Sequence, residues 1–334
     1  DTDRNDLSKA WWDTGTYDDK KYIVPLLLFG DMMLYRKSLY DEAGVDVGEI
    51  RTWKQFTEAC QKVVKDGQGR NPTQPGFDES TVKVWGWHQS MARGSGALLP
   101  RFLHFNYDRL GRPDLGPPDW RADHWTSPEL IEAVQMTVDW ILKDRITPRT
   151  MLTYTTEDAD NKFVSGLSAT YQFGTHRYGS WREKMQFPPE DAVWARYPTW
   201  DGKRWGPVIL DHWSMGVSSR SKSKEQAITA TEFWMSPEAD LIMADVAGQQ
   251  PKRASNAGHA IFDRPDRAYV KLFDIAAREW SAPLSSPPVR PTDIYVQAYH
   301  SMVNDGVPVE KAMAEARDTY HKLLADIPPD RLPK

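Results

Sequence analysis

Residues 34–56 read LYRKSLYDEAGVDVGEIRTWKQF and carry the clearest structural signals in the chain. The run Met32–Tyr35 is short and apolar, as expected for a buried strand. Thr52 and Gln55 then have the spacing of a helical capping box. Five side chains behind the box recur at helical spacing and predict a buried face: Trp53, Phe56, Cys60, Val63 and Val64. The stretch therefore predicts a strand followed by an amphipathic helix.

The same alternation of apolar runs and capped helices continues along the chain. Caps and apolar spacing predict further helices: Ser127–Leu142, Ser223–Trp234, Thr292–Asn304 and Val309–Leu324. Strand-like runs lie between them: Tyr22–Leu28, Ala169–Phe173, Ala192–Tyr197 and Ser214–Val217. Strands that alternate with helices predict an α/β protein. Because no low-complexity linker occurs, we expect lobes built from several chain crossings.

The composition is that of a globular protein with a slightly acidic balance. The 334 residues carry 42 Lys and Arg against 47 Asp and Glu, and no long basic stripe occurs. A nucleic-acid partner is therefore excluded. No apolar run approaches the roughly 20 residues of a membrane span, and the polar start at Asp1 is no signal peptide. The chain is predicted to be cytoplasmic or to have lost its export signal.

Fifteen tryptophans are the unusual feature of the composition. Most are expected in the core, but an indole beside a loop also suits a ring-shaped ligand that presents C–H groups. Cys60 is the single cysteine, which excludes a disulfide framework and a thiolate metal site. The 8 histidines show no pair at helical spacing, so no zinc site is predicted.

The motifs of several enzyme classes are missing. Gly94–Gly96 does not follow a clear strand, as a phosphate-binding loop would, and no Gly-x-Ser-x-Gly elbow occurs. Glu157, Asp158 and Asp160 cluster behind Thr155. They are expected in the first turn of a helix, where carboxylates offset the helix dipole. We predict no catalytic residue and no cofactor.

Four sequence blocks carry a resemblance to a known family. The first comprises residues 17–25 (YDDKKYIVP), 34–45 and 51–56, and the second is residues 163–170 (FVSGLSAT) followed by Gly174. The third is residues 213–217 (WSMGV) with 221–224 and 248–251 (GQQP), and the fourth is the final helix pair. In this order they resemble family 1 extracellular solute-binding proteins of ABC importers, the group typified by maltose-binding protein.

The chain departs from the family pattern at three points. A longer series of strand and helix units precedes the first block in the family, so the first lobe is expected to lack its amino-terminal part. Asp19 and Arg36 stand where the family has a glycine and an asparagine. After Gly174 the family often places an aromatic residue against a sugar, and here either His176 or Tyr178 could take that role.

The resemblance implies a periplasmic-binding-protein type II fold, with two interleaved α/β lobes joined by a hinge. Residues 1–28 and 212–285 would form the first lobe, and residues 29–211 and 286–334 the second. It also implies a periplasmic or extracellular monomer that captures a small ligand between its lobes and delivers it to a membrane permease. The tryptophans and the family favour a carbohydrate ligand, and no cofactor or metal is implied.

Loop and strand-end positions supply the predicted ligand-binding residues. They are Asp211, His212 and Trp213; His176, Arg177 and Tyr178; Trp87, His88 and Gln89; Gln250 and Arg253; and Tyr295. For each, packing in the core or a place on the solvated surface is the alternative. A guanidinium can clamp a carboxylate or a phosphate, so Arg177 and Arg253 leave an acidic sugar or a sugar phosphate open.

Two other functions stay open at this point. A glycoside hydrolase or lyase would share the wealth of tryptophan, and Glu157, Asp158 or Asp211 would have to be catalytic. A ligand sensor on the same fold would signal to a membrane receptor instead of delivering its ligand.

Overall fold

The computed structural model describes residues 4–7, 16–17, 20–94, 107–110, 123–279, 281–283 and 292–328. The strands are β1 (Thr16–Tyr17), β2 (Lys20–Lys21), β3 (Val24–Arg36), β4 (Trp85–His88), β5 (Ser168–Gly174), β6 (Ala192–Ala195), β7 (Val208–Met215) and β8 (Ser281–Pro283). The helices are α1 (Lys37–Glu42), α2 (Trp53–Val63), α3 (Tyr107–Leu110), α4 (Pro128–Leu142), α5 (Thr156–Val164), α6 (Tyr178–Arg182), α7 (Lys224–Trp234), α8 (Pro237–Ala247), α9 (Ala268–Glu279), α10 (Thr292–Asp305) and α11 (Val309–Ala325).

The predicted α/β class is confirmed. The described strands of the main sheet have the order β4–β5–β3–β7–β8, and β6 pairs with β3. Strands β4 and β5 are parallel, whereas β6 runs antiparallel to β3. The strands predicted at 22–28 and 32–35 are one strand, β3, because the chain stays extended through Gly30 and Asp31. The strand predicted at 214–217 lies earlier, as β7.

The chain forms two compact units that interleave along the sequence. The first unit comprises residues 1–32, 173–183 and 210–281, and the second comprises residues 33–172, 184–209 and 282–334. These units differ from the predicted lobes chiefly in residues 173–183, which the sequence had assigned to the second lobe. The segment belongs to the first unit because its side chains pack on β3, α8 and α9, as described below.

The second unit is built around a cluster of tryptophans. The ring centroids of Trp53, on α2, and Trp140, on α4, are 6.3 Å apart. Trp87 packs edge-on against Trp140, with the ring centroids 5.0 Å apart. The capping box of α2 is confirmed, since the Thr52 hydroxyl accepts a hydrogen bond from the Gln55 backbone N–H and the Gln55 side chain accepts one from the Thr52 backbone N–H. The cap sets the start of α2 and thereby points its apolar face at this core.

The first unit is held together by buried charges as well as by apolar packing. Asp240, on α8, accepts hydrogen bonds from the backbone N–H groups of Lys252 and Arg253 and pairs with the Lys252 ammonium at 3.1 Å. Asn256 donates to the same carboxylate at 3.0 Å. These donors satisfy the hydrogen-bonding capacity of a carboxylate that is otherwise removed from water. It ties the loop that follows α8 to the helix itself.

Among the helices of the described ranges, none has the length and apolar character that a bilayer crossing needs.

Candidate functional site

An exposed tryptophan marks the candidate site in the first unit. Trp213, near the end of β7, keeps 54% of its surface exposed. Phe29 of β3 supports it edge-on, with the ring centroids 6.4 Å apart, and the ring of His176 lies 5.8 Å away. His176 in turn packs on the buried Phe29 at 3.9 Å. We call Trp213, Phe29 and His176 the Trp213 platform: one open indole held by two further rings.

The backbone at the end of β5 explains how His176 reaches this place. A Cβ at Gly174 would lie 2.5 Å from the His176 ring and 3.0 Å from the Phe29 ring. Real Cβ atoms essentially never approach another heavy atom as closely as 2.5 Å, so any side chain at position 174 would force the His176 ring to move away from its place over Phe29. The turn then continues through a short 3-10 segment, Thr175–Arg177, into α6.

Three buried polar side chains lie around His176. The Thr175 hydroxyl donates to Oε1 of Gln250 at 2.8 Å and accepts from the Gly30 N–H at 3.5 Å. Gln249 donates through Nε2 to the His176 carbonyl at 3.1 Å. Within the described residues, the remaining amide atoms, Gln250 Nε2 and Gln249 Oε1, are buried without a hydrogen-bond partner. One amide therefore has an unused donor and the other an unused acceptor.

The C-cap of α8 positions both glutamines. Gly248 ends the helix in the left-handed conformation, with φ 68°, where glycine is favoured. The chain turns sharply there, and the hydroxyl of Tyr269 donates to the Gly248 carbonyl. Gln249 and Gln250 leave this turn directed into the unit and not into solvent, since they are 4% and 3% exposed.

A second polar cluster follows β4 in the second unit. Strand β4 pairs in parallel with β5, with its last residue His88 opposite Tyr171. His88, Gln89 and Ser90 come where β4 ends, and all are at most 1% exposed. Gln89 donates to Oε1 of Gln172, on β5, at 3.3 Å. His88 Nδ1, Gln89 Oε1 and Ser90 Oγ have no hydrogen-bond partner among the described residues. Ligands of α/β proteins commonly bind at this carboxyl edge.

Burial fixes the charge of His88. Desolvation lowers the pKa of its imidazole to about 3, with a smaller contribution from the Lys162 charge. The ring stacks on Tyr154 with the centroids 5.8 Å apart. His88 is therefore neutral at physiological pH, so the second-unit polar cluster (His88, Gln89, Ser90 and Gln172) presents hydrogen-bonding groups without charge.

Several predicted site residues lie elsewhere. Trp87 and Tyr295 are 1% and 2% exposed and belong to the hydrophobic core of the second unit. Tyr178 is buried and packs edge-on against Tyr269. Arg253 is 3% exposed, donates to the Met235 carbonyl and pairs with Asp6 at 3.1 Å. Tertiary contacts that the sequence positions do not reveal enclose these four side chains, and their role in ligand binding stays a prediction.

The remaining predicted residues divide as follows. Arg177 is half-buried on the 3-10 turn beside His176. Asp211 and His212 lie in β7, but their side chains are outside the described residues. Trp213, His176, His88, Gln89 and Gln250 remain the candidates that the structure gathers into the two clusters. Sequence reasoning missed Phe29, Thr175, Ser90, Gln172 and Gln249.

Two of the clustered carboxylates, Asp158 and Asp160, are engaged in local structure. Asp158 forms a capping box with Thr155 at the start of α5, accepting from the Thr155 hydroxyl at 2.7 Å and its N–H at 2.9 Å. These hydrogen bonds lower the pKa of Asp158, opposite to the shift of a glycosidase general acid. Asp160 accepts a hydrogen bond from the Tyr171 hydroxyl at 2.7 Å. Nowhere in the described ranges do three or more metal-ligating side chains group around a common point.

Known structures share this fold. Maltose-bound MalE3 of T. maritima is 22% identical with a TM-score of 0.73, and the match covers 96% of this chain and 77% of that one. A substrate-binding protein of Listeria monocytogenes in complex with cycloalternan is 19% identical, with a TM-score of 0.77 over 96% and 76% of the two chains. A solute-binding protein of Agrobacterium vitis with bound D-mannitol is 18% identical, with a TM-score of 0.75 over 99% and 78%.

Sequence comparison identifies the family. An arabinooligosaccharide-binding protein of Halalkalibacterium halodurans is 40% identical over 48 residues, a segment that spans 14% of this chain and 11% of the relative. The sequence profile described as bacterial extracellular solute-binding protein matches residues 2–240, more than two thirds of the chain. The predicted type II periplasmic-binding-protein fold is confirmed by the structural neighbours. The chain belongs to the bacterial extracellular solute-binding protein family.

Proposed function

We propose that this solute-binding protein captures an uncharged sugar or sugar alcohol and delivers it to the membrane permease of an ABC importer. The observation that carries the proposal is the Trp213 platform beside the two unused amide atoms of Gln249 and Gln250. A sugar ring has an apolar face of C–H groups and a rim of hydroxyls. An indole face suits the first, and amide donors and acceptors suit the second.

The charges around the clusters favour a neutral ligand. Arg253, which could have clamped an anion, is paired with Asp6 and the Met235 carbonyl. His88 is neutral because burial lowers its pKa to about 3. The unused atoms in both clusters belong to amides, a hydroxyl and a neutral imidazole, which pair with hydroxyl groups without a desolvated charge.

The relatives support the same ligand class. The solved structures of similar fold hold maltose, cycloalternan and D-mannitol, and the curated relative is named for arabinooligosaccharides. The family match and the similar structures are of binding proteins, and Asp158, one of the three carboxylates that an enzyme could use, is engaged in its capping box. That two lobes close on the ligand about a hinge, and that the protein acts as an extracytoplasmic monomer, stay predictions.

A ligand screen tests the proposal directly. Thermal unfolding is measured with mono- and oligosaccharides, sugar alcohols, sugar phosphates, amino acids and peptides, since specific binding raises Tm by mass action. We expect a neutral sugar or sugar alcohol to stabilise the protein and to be recovered unchanged. Stabilisation by peptides alone would contradict the carbohydrate assignment, and turnover of a glycoside would favour the enzyme. Delivery is then tested by whether the loaded protein stimulates the ATPase of its importer in liposomes.

A further inference from the structure

A groove whose lining residues are all different from those of the second-unit polar cluster lies on the second unit. It has a volume of about 620 Å³ and is lined by α1, by the end of α2 and by the loop that leads to β4. Val84, in its wall, directly precedes β4, whereas His88 ends that strand. At about 3.3 Å per residue, the groove is roughly 13 Å from the second-unit polar cluster, at the opposite end of β4.

Three lysines give this groove its charge. Lys62, Lys65 and Lys83 line it, and all three are exposed. None of them forms an ion pair with a described residue, whereas Lys54, earlier on the same helix as Lys62, lies 3.9 Å from Glu58. We call the recess that these three side chains line the lysine groove. Exposed cations that the fold leaves without counter-charges are available to a partner.

The carboxylates of the groove offset little of this charge. Asp66 accepts hydrogen bonds from the Arg70 guanidinium at 2.8 Å and from the backbone N–H groups of Gln68, Arg70 and Asp78. Burial opposes ionisation of Asp66, yet these bonds outweigh it and lower its pKa to about 2. Its charge is therefore matched by Arg70. Glu42 is the other carboxylate of the described lining, and it faces three lysines.

The walls are fixed and the floor is apolar. The Asp66 carboxylate accepts a hydrogen bond from the Asp78 N–H and so joins the two ends of the loop 66–78. The Gly67 N–H donates to the Thr81 hydroxyl at 2.8 Å. Leu39, Val63 and Val84 supply apolar surface between the lysines. A site for a small anion would need several buried donors that converge on one point, and this groove has exposed cations instead. A site for a lipid surface would need a protruding face, whereas this groove is a recess with an apolar floor. No described lining residue is aromatic, which distinguishes it from a sugar platform.

We propose that the lysine groove docks an acidic segment of another protein, in which carboxylates alternate with apolar side chains. The apolar side chains would lie on Leu39, Val63 and Val84, and the carboxylates would meet the lysines. Because the groove and the second-unit polar cluster lie at opposite ends of β4, the segment would bind without covering that cluster.

The test uses a fluorescein-labelled peptide of Glu-Leu repeats and measures anisotropy with the whole protein. We expect binding that weakens as salt rises, because exposed charges are screened. The triple reversal Lys62→Glu, Lys65→Glu and Lys83→Glu should weaken it by roughly tenfold or more. A matched reversal of exposed lysines elsewhere, Lys184→Glu, Lys222→Glu and Lys224→Glu, changes the net charge equally and should shift the affinity less than about twofold.

Each other outcome overturns the proposal. Equal losses in the two triple variants would show that net charge alone attracts the peptide. Displacement by inorganic phosphate would assign the groove to small anions, and lysine-dependent binding to vesicles containing phosphatidylglycerol would assign it to a membrane surface. No binding by the native protein would also overturn it. Should the triple variant fail to fold by circular dichroism, Lys83→Glu alone must weaken binding. Sugar binding, measured in parallel, should be unchanged in all variants.

Discussion

Replacing Trp213 by alanine should reveal whether the Trp213 platform binds the ligand. An indole side chain offers about 200 Å² of surface, and 54% of that of Trp213 is exposed. A sugar stacked on the open face would cover about 60 Å² of it. At about 25 cal/mol per Å² the lost contact is worth ~1.5 kcal/mol, or about tenfold in Kd. Trp213→Phe should lose less, because a smaller ring remains.

The assay is titration calorimetry with the sugar or sugar alcohol that the ligand screen selects. Phe233→Ala is the matched control, because Phe233 belongs to the same unit and is 50% exposed, but lies on α7 and not beside Gln249 or His176. Its Kd should stay within about twofold of the native value. The unfolding temperature of both variants is recorded so that altered folding is not mistaken for lost contact.

One result would refute the reasoning about Trp213. If Trp213→Ala folds normally and binds its ligand as tightly as the native protein, the exposed indole contributes no stacking energy. The same conclusion would follow if Phe233→Ala and Trp213→Ala lost affinity equally, since a general effect of removing exposed rings would then explain both. A loss confined to Trp213→Ala, with partial recovery in Trp213→Phe, is the pattern that stacking requires.

Three further predictions concern affinity, acid stability and the buried ion pair. Gln250→Leu removes the unused donor and should weaken sugar binding about three- to tenfold by calorimetry; unchanged affinity would exclude that amide from the site. Folding lowers the pKa of His88 to about 3, so below pH 6.5 the unfolded state binds one more proton than the folded state. The free energy of unfolding should therefore fall by up to about 1.4 kcal/mol per pH unit below pH 6.5. His88→Asn should reduce this pH dependence when urea unfolding is measured at pH 7 and pH 5. Asp240→Ala should lower the free energy of unfolding by about 3–5 kcal/mol, because it leaves the buried Lys252 ammonium without its counter-charge. Lys252→Met should lower it less, since Asp240 keeps its three N–H donors. The reverse order in denaturant unfolding would contradict this account.

Signals that depend only on neighbouring residues predicted the positions of the helices and strands. The capping box at Thr52 and Gln55 depends on residues three positions apart, and the structure confirms it. The final helices, predicted at 292–304 and 309–324, end within one residue of the prediction. Such features are set by the chain's own backbone donors and acceptors. They require no knowledge of what packs against them.

Which tryptophan meets a ligand could not be read in the same way. Trp87 and Trp213 both stand in strands next to a histidine, yet one is enclosed by Trp140 and the other is 54% exposed. The difference arises from Trp140 of α4, which packs against Trp87 although it lies more than fifty positions further along the chain. Gln249 could have been found from Gly248, because a left-handed helix C-cap fixes the direction of the residues that follow.

The unused polar atoms are the strongest link between this fold and a ligand. Leaving a buried donor or acceptor without a partner costs about 1–3 kcal/mol. Such atoms occur at Gln249, Gln250, Gln89 and Ser90, and also in the core, at Trp125 and Tyr299. The other amide atom of Gln250 accepts from the Thr175 hydroxyl, so the stability of Gln250→Leu reflects the loss of that bond as well as the removal of the unused donor. Hydroxyl groups of a ligand would restore the missing hydrogen bonds, so binding should recover part of the stability that these positions forgo. The rise in Tm on binding should therefore shrink in Gln250→Leu, even where the unliganded variant melts higher than the native protein.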